Sequence, residues 1–152
     1  MVGHLQTNKV KKAVELFDVI QSIDSLRLAH EVSRRAGDLE RKIECLIEVN
    51  SSGEMQKSGA DPADALDLIK AVRDMQNIKL AGLMTVGPLT DSEAAIRRAF
   101  VLCRGLFKKG QDIVGEQFDT LSMGMSDDFE LAVAEGSTMV RIGTAIFGPR
   151  QK

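Results

Sequence analysis

The sequence contains neither tryptophan nor tyrosine, and six phenylalanines are its only aromatic residues. A surface that stacks successive nucleobases has little to be built from. No charge of one sign dominates either. Twenty Lys and Arg stand against 22 Asp and Glu, a formal charge of −2, which gives no basic face for nucleic acid. No apolar run approaches the roughly 20 residues of a membrane-spanning helix. The N-terminus shows no basic-then-apolar leader. The two cysteines, Cys45 and Cys103, stand in no CxxC pattern. They are expected to be buried free thiols of a reducing, cytoplasmic compartment. No HExxH, GxSxG, paired His/Asp cluster or Cys/His set occurs, so no metal site, hydrolytic nucleophile or other catalytic residue is identified. No GxGxxG follows the first strand, which argues against a Rossmann dinucleotide fold.

What is present suits one ordinary domain: 152 residues, 43% hydrophobic and 28% charged. Val2 to Leu5 reads as a strand stub, and Thr7 or Asn8 as the cap of a helix carrying Val10, Val14 and Phe17. Phe17 to Ile23 is expected to be a strand. A helix capped by Ser25 and stopped by Gly37 follows. Ile43 to Asn50 is the strongest central strand. After the polar loop 51–59, Asp61 and Pro62 suit the start of a helix, and Lys79 to Val86 forms the next strand. Thr90 and Glu93 have the spacing of a capping box for a helix running to Gly110. Thr120 to Met123 and Thr138 to Ile142 are the last strands, with a helix starting at Ser126 between them. Apolar strands alternating with amphipathic helices imply a parallel sheet joined by right-handed crossovers.

The last two strands end in Gly/Ser/Thr-rich loops, at Gly124 to Ser126 and at Gly143 to Gly148. Such loops offer backbone N–H groups to a phosphate, and the loops after the last two strands of a barrel are a recurrent phosphate site. Gly143 and Thr144 are the best candidates, although Gly143 also reads simply as a tight strand exit. Ser126 suits either phosphate or its own helix cap. Arg141 lies among Met139, Val140 and Ile142, where an inward-pointing guanidinium needs an acceptor; a strand carboxylate such as Glu48 is one candidate. EMQKSG, with Lys57, lacks the upstream glycine of a Walker loop. Lys9, Lys11 and Lys12 form an ordinary solvated face.

Five blocks in order, GHLQTNK (Gly3 to Lys9), EVNSSGEMQKSG (Glu48 to Gly59), GLMTVGP (Gly82 to Pro88), LSMGMSDD (Leu121 to Asp128) and RIGTAIFGPR (Arg141 to Arg150), resemble the pyridoxal phosphate (PLP) homeostasis protein family, also called YggS/PROSC, over essentially the whole chain. The resemblance implies a partial (β/α)8 TIM-type barrel, alanine racemase-like, comprising about the last five to six strand–helix units as one incomplete domain over 1–152. It implies pyridoxal 5'-phosphate as cofactor, held in the family as a Schiff base by a lysine upstream of GHLQTNK. Covalent attachment is therefore expected to be lost here, Lys57 not being that lysine, and PLP or phosphate to bind weakly through the loops. By the same resemblance Ser126 and Ser122 occupy phosphate-contacting places and Arg141 faces the pyridine nitrogen. His4 and Asn50 line the cofactor's other edge, with Met84 as a pocket wall. Asn50 suits a turn with Ser51 and Ser52 equally well. The function implied is non-catalytic PLP binding and homeostasis. The alternatives are a racemase-like PLP enzyme, or a barrel segment that self-associates or is completed by a partner chain through open strand edges.

Overall fold

The computed structural model describes residues 1–149. Arg150, the end of the last quoted block, lies outside them. A 3-10 turn, Thr7–Lys9, leads into α1 (Val10–Leu16). There follow β1 (Val19–Ile23), α2 (Leu26–Asp38), β2 (Ile43–Glu48), α3 (Ala65–Arg73), β3 (Ile78–Met84) and α4 (Glu93–Val114). The chain continues through β4 (Thr120–Met125), α5 (Phe129–Ala134), β5 (Met139–Arg141) and the single turn α6 (Thr144–Phe147).

The strands form one sheet in the order β1-β2-β3-β4-β5, every neighbouring pair parallel. A strand order that follows the chain order, with a helical crossover at each step, winds the sheet in one direction and makes a half-barrel. The curl is read directly from Gln21 on β1. Its amide reaches Ser122 on β4 and Met139 on β5, although β2 and β3 separate them in the sheet.

Strand side chains alternate between two faces. On the convex face, Ile20, Cys45, Ile47, Leu80, Leu83, Leu121 and Met123 form one buried cluster with the inward stripes of the helices, among them Val32, Ile69, Val72, Phe100 and Cys103. Leu46, Ala81 and Met84 form a separate small cluster with Val86 on the concave face. Both cysteines are free and buried, as their sequence context suggests.

The five full strands expected are present, but Val2 to Leu5 forms no strand, and several helix ends differ from expectation. What meets the β1 edge is Met1, ahead of that stretch: its carbonyl accepts from Gln21 N–H and its amino group donates to the Val19 carbonyl. Leu5 instead turns into the core. Neither Thr7 nor Asn8 caps α1; Gln6 precedes the 3-10 turn and makes no side-chain cap. Ser25 caps α2 as expected. Gly37 does not stop α2, which runs to Asp38. Its hydrogen side is instead occupied by the Asn77 amide, 2.6 Å from where a Cβ would sit. Asp61 caps the turn before α3, accepting from Ala63 N–H. The cap of α4 is Ser92, not Thr90. Glu93 is thus the first helical residue, and its carboxylate pairs forward with Arg97 instead of reaching back. That helix also continues past Gly110 to Val114.

At Gly82, β3 passes close against β4: a Cβ there would overlap the Thr120 carbonyl of the neighbouring strand. Gly105, exposed on α4, would meet nothing within 4 Å. Gly82→Ala is therefore expected to cost about 2–3 kcal/mol or more in urea unfolding, because backbone must move. Gly105→Ala is expected to gain about 0.5–1 kcal/mol. Equal effects would contradict this placement. Burial pushes the Cys45 and Cys103 thiols up to about 12. A thiol reagent at about pH 8 should label neither until the protein unfolds, and rapid labelling of native protein would count against the packing.

Candidate functional site

Arg141 closes β5 and turns its side chain onto the concave wall. Its Nη1 donates to Ser122 Oγ at 2.7 Å and its Nη2 to the Thr85 carbonyl at 2.8 Å. Among the described residues no carboxylate lies within ion-pair distance of it, so the anticipated pairing with Glu48 is not made. Two neutral acceptors hold the guanidinium instead. Burial lowers its pKa from the usual value, against the opposing pull of Asp128 and Glu48.

The acceptors belong to a longer chain of contacts. Ser122 is fully buried and donates its hydroxyl hydrogen bond to Gln21 Oε1 at 2.7 Å. Gln21 Nε2 then reaches Met139 Sδ at 3.3 Å. On the other side, Thr85 Oγ1 donates to the Val49 carbonyl and meets the Ser51 hydroxyl at 2.7 Å. Gln21, Ser51, Thr85 and Ser122 are all buried. This network ties β1, the ends of β2 and β3, and β4 to the one strand that carries the arginine.

Two residues beyond Arg141, the chain meets the β4 loop. Gly143 N–H and Ala145 N–H both donate to Ser126 Oγ, each at 3.2 Å. Ser126 does not start α5. Asp128 is the residue before that helix, and its Oδ1 accepts from Met125 N–H at 2.6 Å, holding the turn that presents Ser126. Gly143 has φ −123°, outside the left-handed region, and a Cβ on it would meet nothing within 4 Å, so its hydrogen leaves open space beside the two N–H groups. Thr144 is exposed at the start of α6.

The remaining candidates sit elsewhere around the strand ends. Asn50 shapes its own loop, donating to the Glu54 carbonyl and accepting from the Ser52 hydroxyl. Met84 is fully buried in the concave cluster. His4 lies 3.4 Å from Asp24, beside a groove of about 720 Å³ lined in part by Asp24, Lys57 and Gly59. Lys57 is pinned across to the next loop, donating to the Gly87 carbonyl at 2.7 Å and to Glu54 at 3.2 Å. Among the described residues no group of three or more potential metal ligands occurs.

Sequence reasoning did not find Gln21 or Thr85. The available signal was a pair of polar residues, Gln21 and Ser22, in the middle of an otherwise apolar strand, and a threonine ending another.

Removing the Ser122 hydroxyl tests the network. Ser122→Ala leaves both the Arg141 N–H and the Gln21 oxygen without their partner, for an expected loss of about 1–3 kcal/mol in urea unfolding. A neutral result would mean that the network contributes nothing.

A family profile described as alanine racemase, N-terminal domain, matches residues 1–151. Curated relatives named pyridoxal phosphate homeostasis protein are 41% identical in Pasteurella multocida, covering 98% of this chain and 64% of that one. In Escherichia coli they are 42% identical, covering 98% and 63%. The chain thus spans less than two thirds of the length of these relatives. PipY of Synechococcus elongatus, solved with PLP bound, superposes with a TM-score of 0.88 at 38% identity, over 97% of this chain and 69% of PipY. Alanine racemase of Clostridium difficile superposes at 0.80 with 17% identity, over 99% and 41%, a likeness of fold alone.

Proposed function

Since the chain belongs to the alanine racemase N-terminal domain family and, within it, to the pyridoxal phosphate homeostasis proteins, we propose that it binds pyridoxal 5'-phosphate and serves in PLP homeostasis as a single binding domain. The observation that carries this reading is the convergence of Gly143 N–H and Ala145 N–H on one oxygen, two residues from a half-buried arginine that has no carboxylate partner among the described residues.

The donor set fits the cofactor. Ser126 Oγ occupies the position that a phosphate oxygen takes over, accepting from two backbone N–H groups. The Ser126 and Thr144 hydroxyls add donors, and the open side of Gly143 admits the group. Bound PLP supplies an aldehyde and an electron-withdrawing pyridine ring. Arg141, anchored by Ser122 and Thr85, would hold its cation toward that ring, and an unprotonated ring nitrogen beside it is a weak electron sink. The arrangement suits carrying the cofactor more than driving turnover. The two buried free thiols support a cytoplasmic setting.

Gly143→Asp places a carboxylate in the cup without a steric conflict. PLP binding, followed by absorbance and fluorescence, should weaken at least about tenfold with unchanged thermal stability. Borohydride treatment should leave the intact mass unmodified. Unaltered PLP affinity in Gly143→Asp would move the phosphate elsewhere, and a reduced adduct would show that a lysine of this chain reaches the cofactor.

A second reading concerns association. Met139, Val140, Ile146 and Phe147 are exposed around β5, an outermost strand of the sheet. An apolar edge of this kind pairs with another chain. Light scattering is expected to show self-association that charged substitutions at Val140 and Phe147 abolish; a monodisperse monomer at high concentration would refute it.

A further inference from the structure

Glu48 ends β2, two residues beyond Leu46, and pairs in register with Met84. Leu46 and Met84 both belong to the concave cluster, so Glu48 shares the wall that carries Arg141. It is 6% exposed, and its Oε2 is buried without a hydrogen-bond partner. Among the described buried polar residues it is the one acid, the others being Gln21, Ser22, Ser51, Thr85 and Ser122. The one other unpartnered buried side-chain atom among the described residues is Ser22 Oγ, whereas the side chains of Gln21, Ser51, Thr85 and Ser122 all make hydrogen bonds. An unpartnered buried carboxyl group is costly to ionise, which marks Glu48 as a group whose business is with something outside the network.

Its charged neighbours come from each side of the wall. Asp24, just after β1, disfavours its ionisation, while His4 of the N-terminal segment and Arg141 of β5 favour it. Burial outweighs them all, and the Glu48 pKa is raised. The same proximity works in reverse, Glu48 being one of the charges that hold the Arg141 proton in place.

We propose that Glu48 is the specificity-determining residue of this wall, setting the charge of the ligand that it accepts. With the carboxyl protonated, the charge of Arg141 is uncompensated and the wall takes a dianion such as a phosphate or sulfate ester. With the carboxylate formed, the pair is neutral and the dianion is repelled. The inference rests on the anion-binding reading of the 143–145 turn given above, with the Arg141 charge two residues away acting on the same anion.

Inorganic sulfate is a suitable probe because it stays dianionic throughout, unlike PLP or phosphate. Its affinity is measured by calorimetry at about pH 5 and about pH 8 for the wild type, Glu48→Gln and His4→Gln. The wild type should bind about tenfold more weakly at the higher pH, the equivalent of one pKa unit of coupling. Glu48→Gln should bind equally at both, as tightly as the wild type at low pH, and His4→Gln should keep the wild-type slope. Sulfate binding with no pH slope in the wild type, or with the slope retained in Glu48→Gln, overturns the proposal and leaves the anion site standing. No binding of sulfate or PLP to any variant at either pH overturns both. A measurement without variants checks the same linkage: saturating sulfate must raise the Glu48 carboxyl pKa, followed by carbon-13 NMR. An unmoved titration rejects the coupling. Stability gives a further sign. A raised folded pKa contributes stability that is fully present below the unfolded carboxylate value and lost as pH rises through the folded one. The wild-type melting temperature should therefore fall relative to that of Glu48→Gln between about pH 5 and about pH 8, and parallel curves would contradict it.

Discussion

The Arg141 guanidinium is the group around which the concave wall is arranged. A cation brought under cover of a sheet must find acceptors, and the common solution is a carboxylate. Here the acceptors are a serine hydroxyl and a main-chain carbonyl from two different strands. Neither cancels the charge. The serine is itself oriented by Gln21 from the far side of the half-barrel, so the position of the arginine depends on the curl of the whole sheet. The curl in turn depends on close passage of β3 against β4 at Gly82 and on the helices that fill the convex side.

This arrangement separates two tasks that are often merged. The apolar clusters give stability, and most of them lie between strands and helices, away from the wall. The polar groups gather on the concave side near the strand ends, where barrel folds place their ligands. The loops there are held by bonds that cross from one strand end to the next: Lys57 to Gly87, Ser51 to Thr85, and Ser126 to Gly143 and Ala145. A loop network of this type keeps the donors in place before any ligand arrives.

Much of the fold was legible because hydrophobic periodicity reports directly on burial. Ile43 to Glu48 and Ile78 to Met84 are runs that only a doubly covered strand can use. Helix starts were less legible. Thr90 and Ser92 both offer a hydroxyl, and only the backbone conformation at Ser92 decides between them. In the site, Arg141, Gly143 and Ser126 were accessible as a polar residue in an apolar strand and as parts of Gly/Ser/Thr-rich loops. Their mutual relation was not, because Ser126 and Gly143 are 17 residues apart and meet only once β4 and β5 pair. Gln21 was hidden for the same reason: its partner is 101 residues away, on β4, with β2 and β3 between them in the sheet. Asn50 illustrates the opposite case, in which the local reading as a turn residue describes what its side chain does.

The hydroxyl of Ser126 has one more consequence. Because it already accepts from both N–H groups, an incoming molecule does not fill an idle site but competes with an internal occupant. The contest is decided by acceptor strength. A sugar hydroxyl or an amide oxygen offers little that the serine does not, whereas a doubly charged oxyanion outbids it. Under the proposed phosphate reading, Ser126 would thus serve as an internal reference acceptor that a guest has to exceed.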